Sequence, residues 1–424
     1  MKKLFSKCIN SLYSRNSIKL VAIAAIIMVQ FIWFVMYRGG IELYTGWQSI
    51  EMTFDYKEYG FIKRGLIGTV ARSVADIFGT NYDASFISKF EFVSTIIFVI
   101  TFILFIKTLL DVVDKERSMY IFIICLVFVS IGGVSFYFID WAELDIYMII
   151  LTFASLTCII KDRFIYLVPI NCALSIMIHE GYPLMFFMIV MAILFYKWLE
   201  NSEVKFNKYF IVMMLSGIIT SILFIYFYFF SNVKSEITLE YMNNRAINLT
   251  GIEQKINLCY IFFGGDHPSN ASWINGKPTA ALLDRIIHVI VNIFVYLPIL
   301  TNIILIKKST YKKCENAFDK IKYKLIFSGF VFIIILLLIQ TDINRWVNDY
   351  WFYMFSISSL LIVFDDHKFV ESFSKCIGNT PFISCLIPYF VLSLAVNKHT
   401  INVLTDYVSI LISHGILKII NYFV

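Results

Sequence analysis

Long apolar runs separated by polar connectors are the dominant pattern of this chain. A helix that spans a bilayer needs about 20 mostly apolar residues, and about a dozen runs meet or approach that length. The runs lie near 18–37, 92–110, 119–138, 146–160, 164–178, 182–196, 209–230, 286–306, 325–340, 350–364, 379–396 and 402–422. The pattern predicts an all-α polytopic membrane protein with about twelve transmembrane helices, and the short runs between 146 and 196 leave about ten or eleven open.

The composition excludes a water-soluble fold and favours a single integral membrane domain over 1–424. Hydrophobic residues make up 59% of the chain and charged residues 16%, whereas soluble domains have about 45–50% apolar and about 25% charged residues. The chain therefore has too few charged residues to cover the surface of a protein dissolved in water. The eight cysteines show no CxxC spacing and lie mostly in apolar runs, so neither a metal site nor a disulfide framework is expected.

The basic residues predict the orientation, because cytoplasmic connectors retain an excess of Lys and Arg. With a cytoplasmic N-terminus and alternating helices, the most basic connector and the C-terminus also fall on the cytoplasmic side. That connector contains Lys307, Lys308, Lys312, Lys313, Lys320, Lys322 and Lys324. No small-residue cleavage pattern follows the first apolar run, so the first helix is predicted to be retained. The two longest connectors, 38–91 and 231–285, then face outward, where long connectors are often functional.

The first outer connector places carboxylates close to adjacent cations. In the functional interpretation, Asp55 or Glu51 activates a hydroxyl, while Lys63 and Arg64 bind a phosphate, whose oxygens match the Arg fork. The alternative is an amphipathic helix on the membrane surface whose charges are merely solvated. The glycines of this segment would also permit close helix packing.

A second acidic group lies at the outer mouth of the predicted third and fourth helices. It consists of Asp140, Glu143 and Asp145, with no basic neighbour. Like charges this close raise the pKa of at least one carboxyl, which suits a general acid or base, or a cation site built from oxygen ligands. An ordinary solvated connector is the alternative.

His179 and Glu180 interrupt an almost wholly apolar stretch. Ionisable side chains at membrane depth usually face a cavity or a partner, and Gly181 and Pro183 break the helix at this point. The alternative is a tight helical hairpin whose His and Glu reach headgroup water. No second His follows at HExxH spacing, so zinc hydrolysis is excluded.

A fourth polar group, Asp342, Arg345 and Trp346, also lies on the predicted outer side. Asp342 and Arg345 are three residues apart and can pair on one helical face. Alternatively, Arg345 binds a phosphate with Trp346 beside it, or the group is a plain helix-end ion pair with an interfacial Trp. The second outer connector adds Arg245 and is predicted to fold into a cap used for recognition.

Nucleotide-binding motifs are absent from the sequence. Neither GxxxxGK[ST] nor GxGxxG after a strand occurs, so ATP hydrolysis and nucleotide-sugar binding in a Rossmann domain are not indicated. Any donor substrate must then be lipid-borne or lie outside the cytoplasm. No cofactor and no nucleic-acid partner is expected.

With these features, the chain resembles bacterial O-antigen polymerases. The resemblance rests on about twelve spans, on richness in Phe, Ile, Tyr and Asn, on two enlarged outer loops and on Arg64, Arg245 and Arg345 at the outer face. It implies a protein of the bacterial inner membrane, whose periplasmic site joins repeat units linked to undecaprenyl diphosphate. Arg64 and Arg345 would grip the diphosphate. The implied partners are the undecaprenyl-linked oligosaccharide, the lipid bilayer and a chain-length regulator in the membrane.

The chain is also similar to C-type glycosyltransferases, which use a polyprenyl-phosphate sugar donor. Their first outer loop carries an acidic catalytic residue, and Asp55 and Glu51 match that placement, although the paired acidic signature of some members is missing. Both resemblances imply that a carboxylate deprotonates or orients the acceptor hydroxyl while cations stabilise the departing phosphate. A lipid-linked oligosaccharide flippase is the third alternative. The concentration of ionisable groups and long loops on one face favours the transferases over it.

Overall fold

The structure is a computed structural model in which every regular element is a helix. It describes residues 15–37, 47–131, 133–139, 144–200, 206–231, 233–234, 236–251, 253, 255–263, 278–329, 343–378 and 412. Within these residues no β-strand occurs, so the all-α class is confirmed for the described part of the chain. The predicted spans over 379–396 and, apart from Ile412, over 402–422 lie outside it, as does 330–340 of the predicted span 325–340.

The described residues contain sixteen α-helices, which are numbered in chain order. The first eight are α1 (Asn16–Tyr37), α2 (Tyr56–Tyr59), α3 (Gly65–Phe78), α4 (Ala84–Asp111), α5 (Lys115–Ser130), α6 (Phe136–Ile139), α7 (Asp145–Ile160) and α8 (Val168–Ile178). The others are α9 (Phe187–Glu200), α10 (Lys208–Ile225), α11 (Leu239–Thr250), α12 (Lys255–Phe262), α13 (Pro278–Lys312), α14 (Ala317–Ser328), α15 (Ile343–Val363) and α16 (His367–Ile377). Short 3-10 segments cover Trp47–Thr53, Ile165–Leu167 and Tyr182–Leu184, and a π-helical turn, Tyr226–Phe230, extends α10.

Four helical segments among the described residues are long and apolar enough to cross a membrane, by length and composition. They are Asn16–Trp33, Ala84–Asp111, Lys208–Phe230 and Ile286–Lys312. The pair Arg345–Val363 and His367–Ile377, bent by 113°, brings the total to five if it is one span. The four single segments and Arg345–Val363 overlap predicted apolar runs, whereas His367–Ile377 lies between two of them. These helices are those of a helical membrane protein, whereas the total of about twelve spans stays a prediction.

Short polar side chains begin several of these helices. Asp83, Asp114, Asn207, Thr238 and Asp366 each accept a hydrogen bond from a backbone N–H two or three residues later. Such a cap satisfies an N–H that has no partner inside the helix. The cap at Asp83 makes α4 begin well before residue 92, where the apolar run was predicted to start. The predicted outer connector 38–91 is correspondingly shorter and already contains α3.

The main apolar core lies between α4, α5, α7, α8, α9 and α15, which pack side by side. Aromatic rings fill it: the ring centres of Phe105 and Phe153 are 4.4 Å apart, and those of Phe128 and Phe355 are 4.6 Å apart. By contrast, α10 exposes Ile218 and Ile222, which are four residues apart and lie on the same face of the helix. An exposed apolar stripe of this kind suits contact with lipid.

A second, smaller core joins the two long connectors, 38–91 and 231–285. It is formed by Ile50, Phe54, Tyr59, Ile62, Met242, Ala246, Leu258 and Ile261 and is called the loop core below. The first four come from the connector after α1, and the last four from α11 and α12. The two long connectors therefore fold against each other.

Candidate functional site

Arg64 lies between two carboxylates that are far apart in the sequence. Its Nη1 donates to Glu51 at 2.7 Å, while its Nε and Nη2 donate to Glu180 at 2.8–3.1 Å. The side chains of Glu51, Arg64 and Glu180 are 6%, 12% and 17% exposed, so charge-assisted hydrogen bonds act here with little screening by water. These three residues are called the Arg64 bridge.

The backbone holds Arg64 in an uncommon conformation. Its φ of 60° is in the left-handed region, which costs a residue with a Cβ roughly 1–2 kcal/mol. Arg64 is the residue immediately before α3. In the first turn of that helix, Gly68 lies against the backbone carbonyl of Phe54 and leaves no room for a Cβ. Local strain of this kind is often found at functional sites.

His179 and Glu180 follow the end of α8, where the helix stops at Ile178. The Nδ1 of His179 accepts a hydrogen bond from the Gly181 N–H at 2.8 Å and lies 3.7 Å from a Glu180 oxygen. Burial, followed by the charge of Arg64, holds the pKa of His179 well below its usual value. The imidazole is therefore neutral at pH 7.

The carboxylates of the Arg64 bridge differ in basicity. Burial raises the pKa of Glu51, with Arg64 opposing the shift. Burial also acts to raise the pKa of Glu180, but the charge and hydrogen bonds of Arg64 outweigh it, so this pKa is well below the usual range. Burial lowers the pKa of the neighbouring Lys63 ammonium, while the charge of Glu180 opposes that shift. Two carboxyl groups with pKa values pushed apart are a pattern typical of acid–base sites.

A second forked ion pair lies nearby and joins the first residue of α7 to the first turn of α15. The guanidinium of Arg345 donates to the two oxygens of Asp145 at 2.6 and 2.5 Å, and Asp145 is fully buried. The same guanidinium lies 5.6 Å from the centre of the Trp346 ring. Its charge lowers the pKa of both Glu51 and His179, which places the pair within electrostatic reach of the Arg64 bridge.

The structure therefore pairs Arg345 with a carboxylate 200 residues away in the sequence. The residue predicted as its helical partner, Asp342, lies outside the described residues. So do Asp140 and Glu143, the other carboxylates predicted to cluster with Asp145.

Asp55 belongs to a different network from Glu51. It is fully buried, and its oxygens accept hydrogen bonds from the Glu58 N–H at 2.8 Å, from Arg72 at 2.9 Å and from Arg245 at 2.7 Å. Glu58 also lies within 3.5 Å of both arginines and accepts a hydrogen bond from Tyr241. The hydrogen bond from Tyr241 is the first cause that lowers the pKa of Glu58. These five residues are called the Asp55 network.

The Asp55 network connects α11, in the second long connector, to the connector after α1, beside the loop core. Arg72, Glu58 and Tyr241 were not among the site residues predicted from the sequence. The available signal was the spacing of Asp55 and Glu58, which is that of a helix N-cap followed by a first-turn acid.

Lys63 has surroundings that differ from those of the paired arginines. Its backbone N–H donates to Ser231 at 2.9 Å, and its ammonium lies 5.9 Å from the centre of the Phe262 ring. Lys63 therefore lies where the two long connectors meet.

Chemically, the described residues bring together carboxylates, guanidiniums, a neutral imidazole and a lysine at one end of the apolar helices. No group of three or more His, Cys, Asp or Glu side chains suited to a metal ion occurs in the part of the chain that the structure describes. A scan against protein-family models finds no match, and searches of curated proteins and of solved structures find none either.

Proposed function

We propose that this chain is a bacterial surface-polysaccharide polymerase of the O-antigen type, a glycosyltransferase acting on undecaprenyl-diphosphate-linked oligosaccharides. The observation that carries the proposal is the Arg64 bridge with the Arg345–Asp145 pair beside it. Together they supply a base and forked cations at the ends of apolar helices, where a lipid-linked diphosphate would be presented.

In the proposed reaction, the acceptor hydroxyl of one repeat unit attacks the anomeric carbon of another. The bond between that carbon and the diphosphate oxygen breaks, and the hydroxyl proton passes to Glu51. Glu51 is the preferred base because its pKa is raised by burial, so the carboxylate accepts a proton more readily than Glu180 does. Arg64 and Arg345 stabilise the charge on the departing diphosphate.

Proton transfer would also change the partners of Arg64. A protonated Glu51 is neutral and attracts the Nη1 of Arg64 much less strongly than the carboxylate does. This donor can then turn to the leaving phosphate as negative charge builds there. Glu180 keeps Arg64 in place through its forked contact. Base and cation would thus act in concert.

The proposal includes the finer topology predicted from the sequence: about twelve spans, cytoplasmic termini and a site facing the periplasm across the inner membrane. The loop core supports an organised outer region, since both long connectors contribute to it. The bilayer and a chain-length regulator are the proposed partners besides the lipid-linked substrate.

The test is the lipopolysaccharide banding pattern of a strain deleted for the gene and complemented with plasmid-borne variants. Arg64→Lys and Glu51→Gln are expected to leave one repeat unit on the core and no ladder. Lys57→Ala, which alters an exposed cation of the same connector, is expected to restore the full ladder. Membrane levels of each variant are compared by immunoblot. A full ladder with both site variants would refute the site.

A C-type glycosyltransferase is the second candidate, favoured by the position of Glu51 in the first connector after α1. If the protein is such a glycosyltransferase, deleting its gene would remove even the first repeat unit, because the unit would never be assembled. A flippase would give the same gel but would leave complete lipid-linked units in membrane extracts. Mass spectrometry of those extracts therefore separates the two.

A further inference from the structure

A basic cleft lies at the C-terminal end of α13 and is completed by α14. The proposed reaction uses neither helix. It offers about 480 Å³ of open space and is lined by Ile304, Lys307, Lys308, Tyr311, Lys312 and Lys320. Five of the lining residues belong to the last turns of α13, and Lys320 comes from the first turn of α14. Two consecutive helices therefore direct cations into one space.

Three of the carboxylates near this end of α13 already have other partners. Asp319 pairs with Lys368, Glu371 lies 2.7 Å from Lys313, and Asp366 accepts a hydrogen bond from Tyr196 at 2.9 Å. Within the described residues, no carboxylate lies within 4.0 Å of the ammonium groups of Lys308, Lys312 or Lys320. The cleft is thus a concentration of positive charge, which attracts anions.

Apolar side chains adjoin these lysines. Ile304 lines the cleft itself and is 60% exposed, and the same two helices expose Leu305 and Ile321 by 52% and 55%. Lys307, Lys308 and Lys312 occupy the C-terminal end of the apolar span Ile286–Lys312, which is the depth expected for lipid headgroups. Exposed apolar surface on one side and cations on the other match the two halves of a phospholipid.

We infer that this cleft binds the phosphate-bearing headgroup of an anionic phospholipid, with its acyl chains along α13 and α14. Lysine-rich clefts at the cytoplasmic end of a membrane helix attract acidic lipids, with about a fivefold gain in binding for each lysine. The hydroxyl of Tyr311, which also lines the cleft, supplies a further hydrogen-bond donor for a phosphate or glycerol oxygen. In the proposed topology the lipid belongs to the cytoplasmic leaflet, so the cleft and the Arg64 bridge lie on opposite faces.

The experiment uses the purified full chain in neutral detergent and measures binding by native mass spectrometry and isothermal titration. The probes are short-chain phosphatidylglycerol, short-chain phosphatidylcholine and inorganic phosphate. The variant Lys308→Gln/Lys312→Gln/Lys320→Gln is compared with Lys57→Gln/Lys89→Gln/Lys161→Gln, in which three exposed lysines elsewhere are replaced and the net charge changes equally.

Phosphatidylglycerol is expected to bind wild type and the control variant alike, and the cleft variant about 100-fold more weakly. Phosphatidylcholine and inorganic phosphate are expected to bind much more weakly than phosphatidylglycerol. Equal binding of phosphatidylcholine, or equal affinity of cleft and control variants for phosphatidylglycerol, would overturn the inference. Inorganic phosphate that binds as tightly as the lipid would make this a phosphate site, not a lipid site, and would overturn it as well.

Discussion

Replacing Asp55 by Ala should destabilise the protein more than the loss of any exposed ion pair. The carboxylate is fully buried and accepts hydrogen bonds from Arg72, from Arg245 and from a backbone N–H of α2. Removing one partner of a buried ion pair costs about 3–5 kcal/mol, and losing a helix cap costs about 1 kcal/mol. Because Glu58 stays within 3.5 Å of both arginines, we expect a total of about 3–4 kcal/mol.

The measurement is thermal unfolding of purified variants in one detergent, followed by intrinsic tryptophan fluorescence. The matched control is Glu240→Ala, which removes an ion pair to Lys255 in the same outer region. The Nζ of Lys255 lies 3.3 Å from a carboxylate oxygen of Glu240, and the side chains of Glu240 and Lys255 are 66% and 51% exposed. Such an exposed pair contributes less than about 1 kcal/mol. Equal losses of thermal stability in the two variants would contradict the argument from burial.

A comparison of Asp55→Asn with Glu51→Gln separates a role in stability from a role in the reaction. Asp55→Asn is expected to lower thermal stability but to support ladder synthesis at a permissive temperature. Glu51→Gln is expected to abolish ladder synthesis at every temperature, because Glu51 faces Arg64 in the proposed site. If Asp55→Asn is folded, present in the membrane at wild-type level and inactive, then Asp55 takes part in the chemistry.

Three further outcomes are expected. The pKa of Glu180 is lowered on folding, so its negative charge stabilises the protein at pH values above the unfolded-state pKa of about 4.3. This stabilisation is lost as the pH falls toward the folded-state pKa. The difference in melting temperature between wild type and Glu180→Gln should therefore shrink between about pH 7 and about pH 3. Gly68→Ala would place a Cβ against the Phe54 carbonyl and should cost about 3 kcal/mol in unfolding experiments, whereas Gly217→Ala, with its nearest neighbour 3.9 Å away, should be neutral or stabilising by up to about 1 kcal/mol. In a polymerisation assay with membranes, wild-type activity should fall as pH drops through the raised pKa of Glu51, and Glu51→Gln should lose that acid limb together with about 10²–10⁴-fold of the rate; an unchanged acid limb in the variant would assign the titration to another group.

The apolar runs predicted the long helices well, because a run of lipid-compatible residues is a local property. The predicted run 209–230 corresponds to Lys208–Phe230, and 146–160 to Asp145–Ile160. Where helices begin was less predictable, since a polar cap such as Asp83 extends α4 into residues that hydropathy assigns to a connector.

The choice of partners within the candidate site was not predictable from the sequence. Helical spacing predicted a pair between Asp342 and Arg345; Asp342 lies outside the described residues, so that pair stays a prediction. No pattern predicted the contact of Arg345 with Asp145 that the structure shows. Likewise, Arg64 contacts Glu180, 116 residues away. Such contacts depend on how helices pack, and no local pattern records that arrangement. The residue types were recognisable, because charged side chains in apolar surroundings require partners.

The Asp55 network also constrains how the chain is made. Asp55 and Arg245 are 190 residues apart, so at about 5–20 residues per second a ribosome needs on the order of 10–40 s to add the second after the first. During that interval the connector after α1 has left the translation machinery with Arg72 in place but without Arg245, the second arginine that contacts Asp55. Nascent chains stalled before residue 245 should therefore expose this connector to added protease, and chains stalled well beyond α12 should protect it.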